Sequence, residues 1–386
     1  MSSFDSSEMA CLQFTPRRLE RAYRSMKKET IDALILTRRP DVQYFTGYES
    51  PTSSLPFGCL IVEGHQPQLI MSALQHDAIG HNPIMATVQR TDIEPVDELG
   101  YNRDESFWDR VATTLEELGT DSGVIGLQQE RISIKELDYL RGRLPRAGFK
   151  GVSSMLWNLR QIKDEAEIEA IRKSVGIAEI GVRTALEIVH TGILEADASI
   201  EIESAMRAAG GQLRGIRAAV LSGDHARFPF AQPSGNRIAS DSFVTIDVTV
   251  SESGYFAEVA RTLHTGQPNK TQRRAFEGLL QVYKTAEKVM KPGAKLSVVH
   301  GKIMKKLGKK IPADSLQRPV GNSIGLDLRE PPLIHSDSDS SLRGGMVFSL
   351  NPSIYSPKTG AMKISDLFVV TEDGLESLST VARETI

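Results

Sequence analysis

The spacing of apolar positions changes several times along the chain, and each change marks an element. Residues 17–31, RRLERAYRSMKKETI, place Leu19, Ala22, Tyr23 and Met26 at helical spacing and predict an amphipathic helix. The run DALILT that follows predicts a buried strand. VQYFTGY and FGCLIVEG read as alternating segments separated by turn residues, and QPQLIMSAL as the next strand of the same sheet. SFWDRVATTLEEL and SIKELDYLRGRL carry helical periodicity on either side of GVIGL, a short strand. Strands that alternate with helices predict an α/β domain over residues 1–158, with Met1 to Thr15 as a loose arm.

From residue 159 the pattern lengthens. Residues 159–189 predict one long helix. Asp164 stands three residues before Glu167, as a capping box requires, and Ile168, Ile171, Val175, Val182 and Leu186 form a stripe that predicts a buried face. A second helix ends at Gly210-Gly211. Residues 272–290 and 296–310 predict two more helices. The stretches around 243–262, 321–332, 344–355 and 361–378 predict strands and turns. A second domain, α+β in class, is therefore expected over residues 159–386.

Composition narrows the function classes. The 386 residues carry 46 Lys and Arg against 49 Asp and Glu, a net charge of -3, which argues for no nucleic-acid partner. Pairs such as Arg38-Arg39 and Lys309-Lys310 read as solvated surface. Two cysteines, Cys11 and Cys59, in a chain this long suggest a reducing compartment, and no CxxC or Cys/His cluster suggests zinc. The N-terminus lacks a basic segment followed by an apolar one, and no apolar run has the length of a membrane span. The expectation is a cytoplasmic protein with no membrane partner.

The chemistry concentrates between Phe243 and Thr262. FVTIDVTV carries Asp247 inside an apolar, β-branched run, and GYFAEVART carries Glu258 and then Arg261. Two adjacent strands that push acids into one interior incur a cost unless the acids are paired or used.

The order of motifs resembles that of the creatinase, prolidase, aminopeptidase P and methionine aminopeptidase proteins of pita-bread fold. LRQIKDEAEIEAIRKS is similar to the first helix of their catalytic domain. SGDHARFPFAQPSGNR is similar to the segment with a catalytic His after a Pro. VTIDVTV and GYFAEVART resemble the strands with two metal-binding Asp residues. VGNSIGLDLREPP resembles GHGIGL…HEPP, GGMVFSLNPSIY resembles GMVFTIEPGIY, and AMKISDLFVVTEDGLESL resembles the closing strand with the metal-bridging Glu. The resemblance implies a creatinase-type α/β N-terminal domain followed by a pita-bread domain, and a homodimer.

It also implies a dinuclear site of two Asp, one His and two Glu, and here the chain departs. The first Asp is Asp247. The second position is Glu258, the His position Asn322, and the two Glu positions Asn351 and Ser365. Neutral amides and a hydroxyl are poor ligands for transition metals, so no metal and no cofactor are expected. Phe230 replaces the His after Pro229, and Arg329 replaces the His of the HEPP segment. Creatinase works without metal but keeps that loop His and the later His and Glu; this chain keeps none of the three.

Positive charge has come near instead: Arg261, Arg329 and Lys363. A guanidinium is expected either to pair with Asp247 and Glu258 or to grip an anionic ligand. Asp247 and Glu258 are the catalytic candidates. Arg261, Asn322, Arg329, Asn351 and Phe230 are the ligand-binding candidates, with Asn322 and Asn351 also read as partners for buried backbone groups and Phe230 as pocket lining. His225 reads as an exposed loop histidine or a displaced catalytic one. Three functions follow in order: a metal-independent hydrolase or lyase acting on a C–N or related bond of a small carboxylate-bearing substrate; a catalytically silent homologue that binds a small anionic molecule or short peptide or serves in association; and, last, a metal-dependent Xaa-Pro peptidase.

Overall fold

The structure, a computed structural model, describes residues 16–50, 56–72, 89–93, 103–308, 311 and 320–386. The arm expected before residue 16 lies outside the described residues. The chain divides into two compact units, Met1–Arg160 and Gln161–Ile386.

The first unit is a six-stranded sheet with helices. Its elements are α1 (Pro16–Glu29), β1 (Ala33–Leu36), α2 (Arg39–Thr46), β2 (Gly58–Val62), β3 (Gln68–Ser72), β4 (Gln89–Ile93), α3 (Arg103–Glu117), β5 (Val124–Leu127), α4 (Ile134–Arg143), β6 (Gly148–Gly151) and α5 (Ser153–Arg160). The strand order is β4-β3-β2-β1-β5-β6. β1 is antiparallel to β2 and parallel to β5, which places it at the centre, and all four of its residues are buried. Ile35, Leu60, Ile70, Phe107, Trp108, Leu115 and Leu140 share the core.

One segment differs from its sequence pattern. VQYFTGY is not an alternating strand, because residues 39–46 form α2. Pro40 sits in its first turn, and Gly47 closes it at φ 68°, the left-handed region that suits glycine.

The second unit begins with α6 (Glu165–Ile188) and α7 (Glu195–Ala208). β7 (Arg217–Ser222), β8 (Phe243–Glu252) and β9 (Tyr255–His264) follow, then α8 (Lys270–Val289) and α9 (Leu296–Leu307). The short strands β10 (Gly321–Ser323), β11 (Glu330–Leu333), β12 (Val347–Leu350), β13 (Ser353–Ser356), β14 (Gly360–Lys363), β15 (Asp366–Val370) and β16 (Leu375–Ser377) complete it. The sheet β7-β8-β9 and the five-stranded sheet β11-β10-β12-β15-β16 are both antiparallel. A bridge between Ala260 and Ser365 ties β9 to the start of β15. α6 packs on β8 and β9, and α7 on β7. α8 and α9 pack on the other sheet, sharing a core with Phe348, Phe368, Ile354 and Met362. This is the pita-bread arrangement of curved sheet and two helix pairs.

The start of α6 follows its sequence signal. Asp164 Oδ1 accepts from the Glu167 backbone N–H at 2.9 Å, and Glu167 Oε2 accepts from the Asp164 N–H at 3.0 Å. Asp164→Ala is expected to cost about 1 kcal/mol, measured by urea unfolding. The apolar stripe is tighter than its sequence pattern: Ile171, Val175, Ala178 and Val182 are buried, whereas Leu186 is exposed. Among the described residues, no helix is long and apolar enough to cross a membrane.

Candidate functional site

β8 and β9 pair so that Asp247 faces Ala260 and Thr249 faces Glu258. Glu258 and Ala260 are two residues apart on one strand and share a face, so the two acids stand diagonally across the pair on the same side of the sheet. Glu258 is buried, and the Asp247 side chain keeps 18% of its exposure.

The cation between them is Lys363. It ends β14, and its Nζ lies 2.7 Å from Asp247 Oδ2 and 2.6 Å from Glu258 Oε1. Burial favours the neutral form of Glu258. The Lys363 ammonium, its hydrogen bond, the charge of Arg329 and a hydrogen bond from Asn351 outweigh that and lower the carboxyl to about 2. Burial likewise opposes the charged lysine, but Asp247 and Glu258 hold its pKa above the ordinary lysine value. Arg217 adds a second positive charge, 4.0 Å from Asp247 Oδ2.

The positions read as lost ligands form a polar lattice around Glu258. Ser349 Oγ and Asn351 Nδ2 donate to Glu258 Oε2 at 3.2 and 3.3 Å. Asn351 Nδ2 also reaches Asn322 Oδ1 at 3.1 Å, and Asn322 Nδ2 donates to the carbonyls of Ser323 and Leu328. Ser365 Oγ donates to the Glu258 carbonyl and lies 3.2 Å from Ser349 Oγ. Asn322 thus satisfies buried backbone carbonyls, as one of its two readings has it, whereas Asn351 bonds to the side chains of Glu258 and Asn322.

Two other candidates lie elsewhere than expected. Arg261, expected among the ligand-binding groups, does not line the cavity beside the acid pair. It stands three residues after Glu258, which turns it to the opposite face of β9. There all its N–H groups are engaged: Nε with the Ala382 carbonyl, one terminal nitrogen with the carbonyls of Ala260 and Ser365, the other with Asp366 Oδ1 and the Val381 carbonyl. Phe230 does not line the pocket either, being 79% exposed; Phe228 and Pro229 do line it. Arg329 is exposed and forms no ion pair among the described residues.

What remains between Arg217, Thr245, Asp247, Tyr355 and Lys363 is a cavity of about 20 Å³, room for one water. Asp247 Oδ1 is buried without a hydrogen-bond partner among the described residues.

Two features escaped the sequence reading. Lys163 Nζ, just before α6, lies 2.9 Å from Glu330 Oε2 and 3.2 Å from Ser323 Oγ, a wholly buried pair. Glu195, also buried, accepts from Ser222, Ser234 and His225 Nδ1, the last at 2.8 Å, and so clasps both ends of the loop with Phe228 and Phe230 at its tip. His225 is this loop's anchor and is not among the residues lining the cavity. Capping-type acids at helix starts were the available signal for Glu195; the pairing of Lys163 with Glu330 is non-local and left none.

A pita-bread domain that follows an α/β domain in the chain, with paired acids on adjacent strands, defines a creatinase/prolidase-type protein. The chain belongs to metallopeptidase family M24, whose profile matches residues 169–372, while the creatinase/prolidase N-terminal domain profile matches residues 18–162. It is 28% identical over 371 residues to an Xaa-Pro dipeptidase of Pyrococcus furiosus, covering 95% of this chain and 99% of that one. It is 25% identical over 366 residues to an Xaa-Pro dipeptidase of Lactobacillus helveticus, covering 94% and 96%. In fold it is similar to the prolidase of Pyrococcus horikoshii OT3, at a TM-score of 0.82 and 22% identity over 96% of this chain and 100% of that one. An Xaa-Pro dipeptidase from Bacillus anthracis gives 0.83 and 22% over 96% and 99%.

The family implies a metal centre, and the residues present do not fit one. Among the described residues no three of His, Cys, Asp and Glu cluster as a metal site. Two amides and a hydroxyl stand at three of the five positions that the motif resemblance assigns to ligands, and an ammonium already holds both remaining acids at hydrogen-bond distance. A dication would have to displace Lys363 and accept neutral donors in exchange for carboxylates.

Proposed function

We propose that this chain is a prolidase-family protein that has given up the dinuclear-metal peptidase reaction and binds a small carboxylate-bearing molecule or short peptide at Arg329, outside the one-water cavity left beside the acid pair. The observation that carries this reading is Lys363 set between Asp247 and Glu258. A carboxyl held near 2 is a weak base, and a lysine held above its ordinary value is a weak acid. Neither matches proton transfer at neutral pH. That mismatch also counts against the metal-independent enzyme, the first reading of the sequence. Arg329, exposed and in no ion pair among the described residues, is the group suited to a ligand carboxylate. A homodimer and a cytoplasmic location belong to the same proposal.

A second reading has a specific observation in its favour. The relatives named above are called Xaa-Pro dipeptidases, and similarity to them extends over nearly the whole chain. The comparisons therefore favour the metal-dependent Xaa-Pro peptidase, which residue chemistry alone placed last.

One experiment decides between them. The protein is incubated with Mn²⁺ or Co²⁺, freed of unbound metal, analysed for metal content and assayed on Xaa-Pro dipeptides. The expected result is well under one metal per chain and no turnover above the protein-free rate. Two metals per chain with turnover would establish the peptidase and overturn the binding proposal.

A further inference from the structure

The charge of this chain is unevenly placed. Its net charge is -3, yet residues 280–308 hold seven lysines and one acid, Glu287. These residues form the end of α8, the connection after it, and α9. The two helices pack against each other and turn Leu279, Val282, Tyr283, Ala286, Val299, Ile303 and Leu307 into the core. Their other sides carry Lys284, Lys288, Lys291, Lys302, Lys305 and Lys306, all exposed and none in an ion pair among the described residues. Glu287 faces Arg383 at 3.9 Å. The seventh lysine, Lys295, is bridged to Ser341, at the end of the segment that carries Asp337 and Asp339, so the patch is counted without it.

We infer that this helix pair is a docking surface for a nucleic-acid duplex, held through its phosphate backbone. The inference departs from the sequence expectation, which rested on net charge alone and so averaged the patch away. Lysines three and four residues apart on a helix repeat every ~4.5–6 Å along its axis, and two packed helices set such rows ~8–10 Å apart. That is an array of point charges on the scale of a phosphate backbone. The lysines of residues 280–308 are point charges with no exposed aromatic face beside them to stack a base, so the patch holds a duplex backbone and does not select sequence. A lipid surface is the poorer fit. A helix that beds into headgroups presents large apolar side chains beside its lysines, and here those are turned into the core, with only Val298 exposed on α9.

The test is fluorescence anisotropy of the full chain with labelled duplexes of ~20 base pairs, in DNA and in RNA. Binding of both is expected with Kd on the order of 10 µM at low salt, weakening with a log–log salt slope of about -4 to -5 if roughly five lysines meet phosphates. The variant Lys288→Glu/Lys291→Glu/Lys302→Glu/Lys306→Glu is expected to lose at least ~30-fold. A control with exposed lysines changed elsewhere, Lys28→Glu/Lys173→Glu, is expected to bind as the parent does. Should the fourfold variant unfold, Lys302→Gln/Lys306→Gln takes its place with an expected ~3–10-fold loss and a shallower slope. The inference is overturned by absence of saturable binding at ~100 µM protein, by equal binding of parent and patch variant, or by an equal loss in the control. Tighter adsorption to phosphatidylserine vesicles than to duplex overturns it as well. Metal content and dipeptide turnover, the tests of the binding-protein reading, involve none of these lysines, so the two ideas fail separately.

Discussion

Lys363→Ala is expected to destabilise the second unit by about 3–5 kcal/mol at neutral pH, a fall of roughly 10 °C in thermal midpoint. The lysine is the cation shared by two acids, one of them buried, and its removal strands both. The pH dependence distinguishes this cause from a simple loss of packing. In the parent, Glu258 titrates near 2, below its ordinary value of 4.5. Its contribution is complete above that ordinary value and fades as pH falls from there toward 2. In the variant, burial without the ammonium raises the same carboxyl, so acidification relieves the strain by protonating it. The gap between parent and variant should therefore narrow from pH 7 to pH 4. Denaturant unfolding across that range checks it, and a constant gap, or one below about 1 kcal/mol, would contradict the assigned role of Lys363.

Arg261→Ala is expected to cost about as much, 3–5 kcal/mol, through a different part of the fold. Its guanidinium holds the carbonyls of Val381 and Ala382, and so fixes the final segment of the chain against β9 and β15. It also pairs with Asp366, which is buried and would keep only Arg383. Arg261→Lys keeps the charge but not the five-donor fork, and should recover less than half of the loss. Hydrogen exchange at Thr380 and Val381, whose N–H groups are held by Glu179, should rise in both variants. If exchange there stays at the parent's level, Arg261 is not what fastens this segment.

Much of the fold was legible in local signals. The capping box at Asp164 and the long stripe of α6 were read from spacing alone, because both depend on residues within one or two turns. VQYFTGY was misread because Tyr44 and Phe45 suit a strand by propensity, while Pro40 and Gly47 decide in favour of a short helix. At the site, the spacing of Asp247 and Glu258 around a tight turn was enough to bring both acids to one face. Arg261 was misplaced by disregard of strand parity, which the same spacing contains. Lys363 could be named as nearby but not placed between the acids. Its position depends on the β13–β14 ribbon meeting β8 and β9 across more than a hundred residues, and no local pattern encodes that. The basic helix pair was hidden for another reason, since a sum over 386 residues cancels a local surplus.

The lysine between the two acids is also a counter-ion that cannot dissociate. A protein that borrows its cation from solution has a stability set by mass action, which drops when the ion is scarce or captured by a chelator. Here the positive charge is attached to the backbone at Lys363, so dilution does not remove it and no competing ligand can carry it away. The binding-protein proposal therefore predicts that a chelator leaves the thermal midpoint of this domain unchanged.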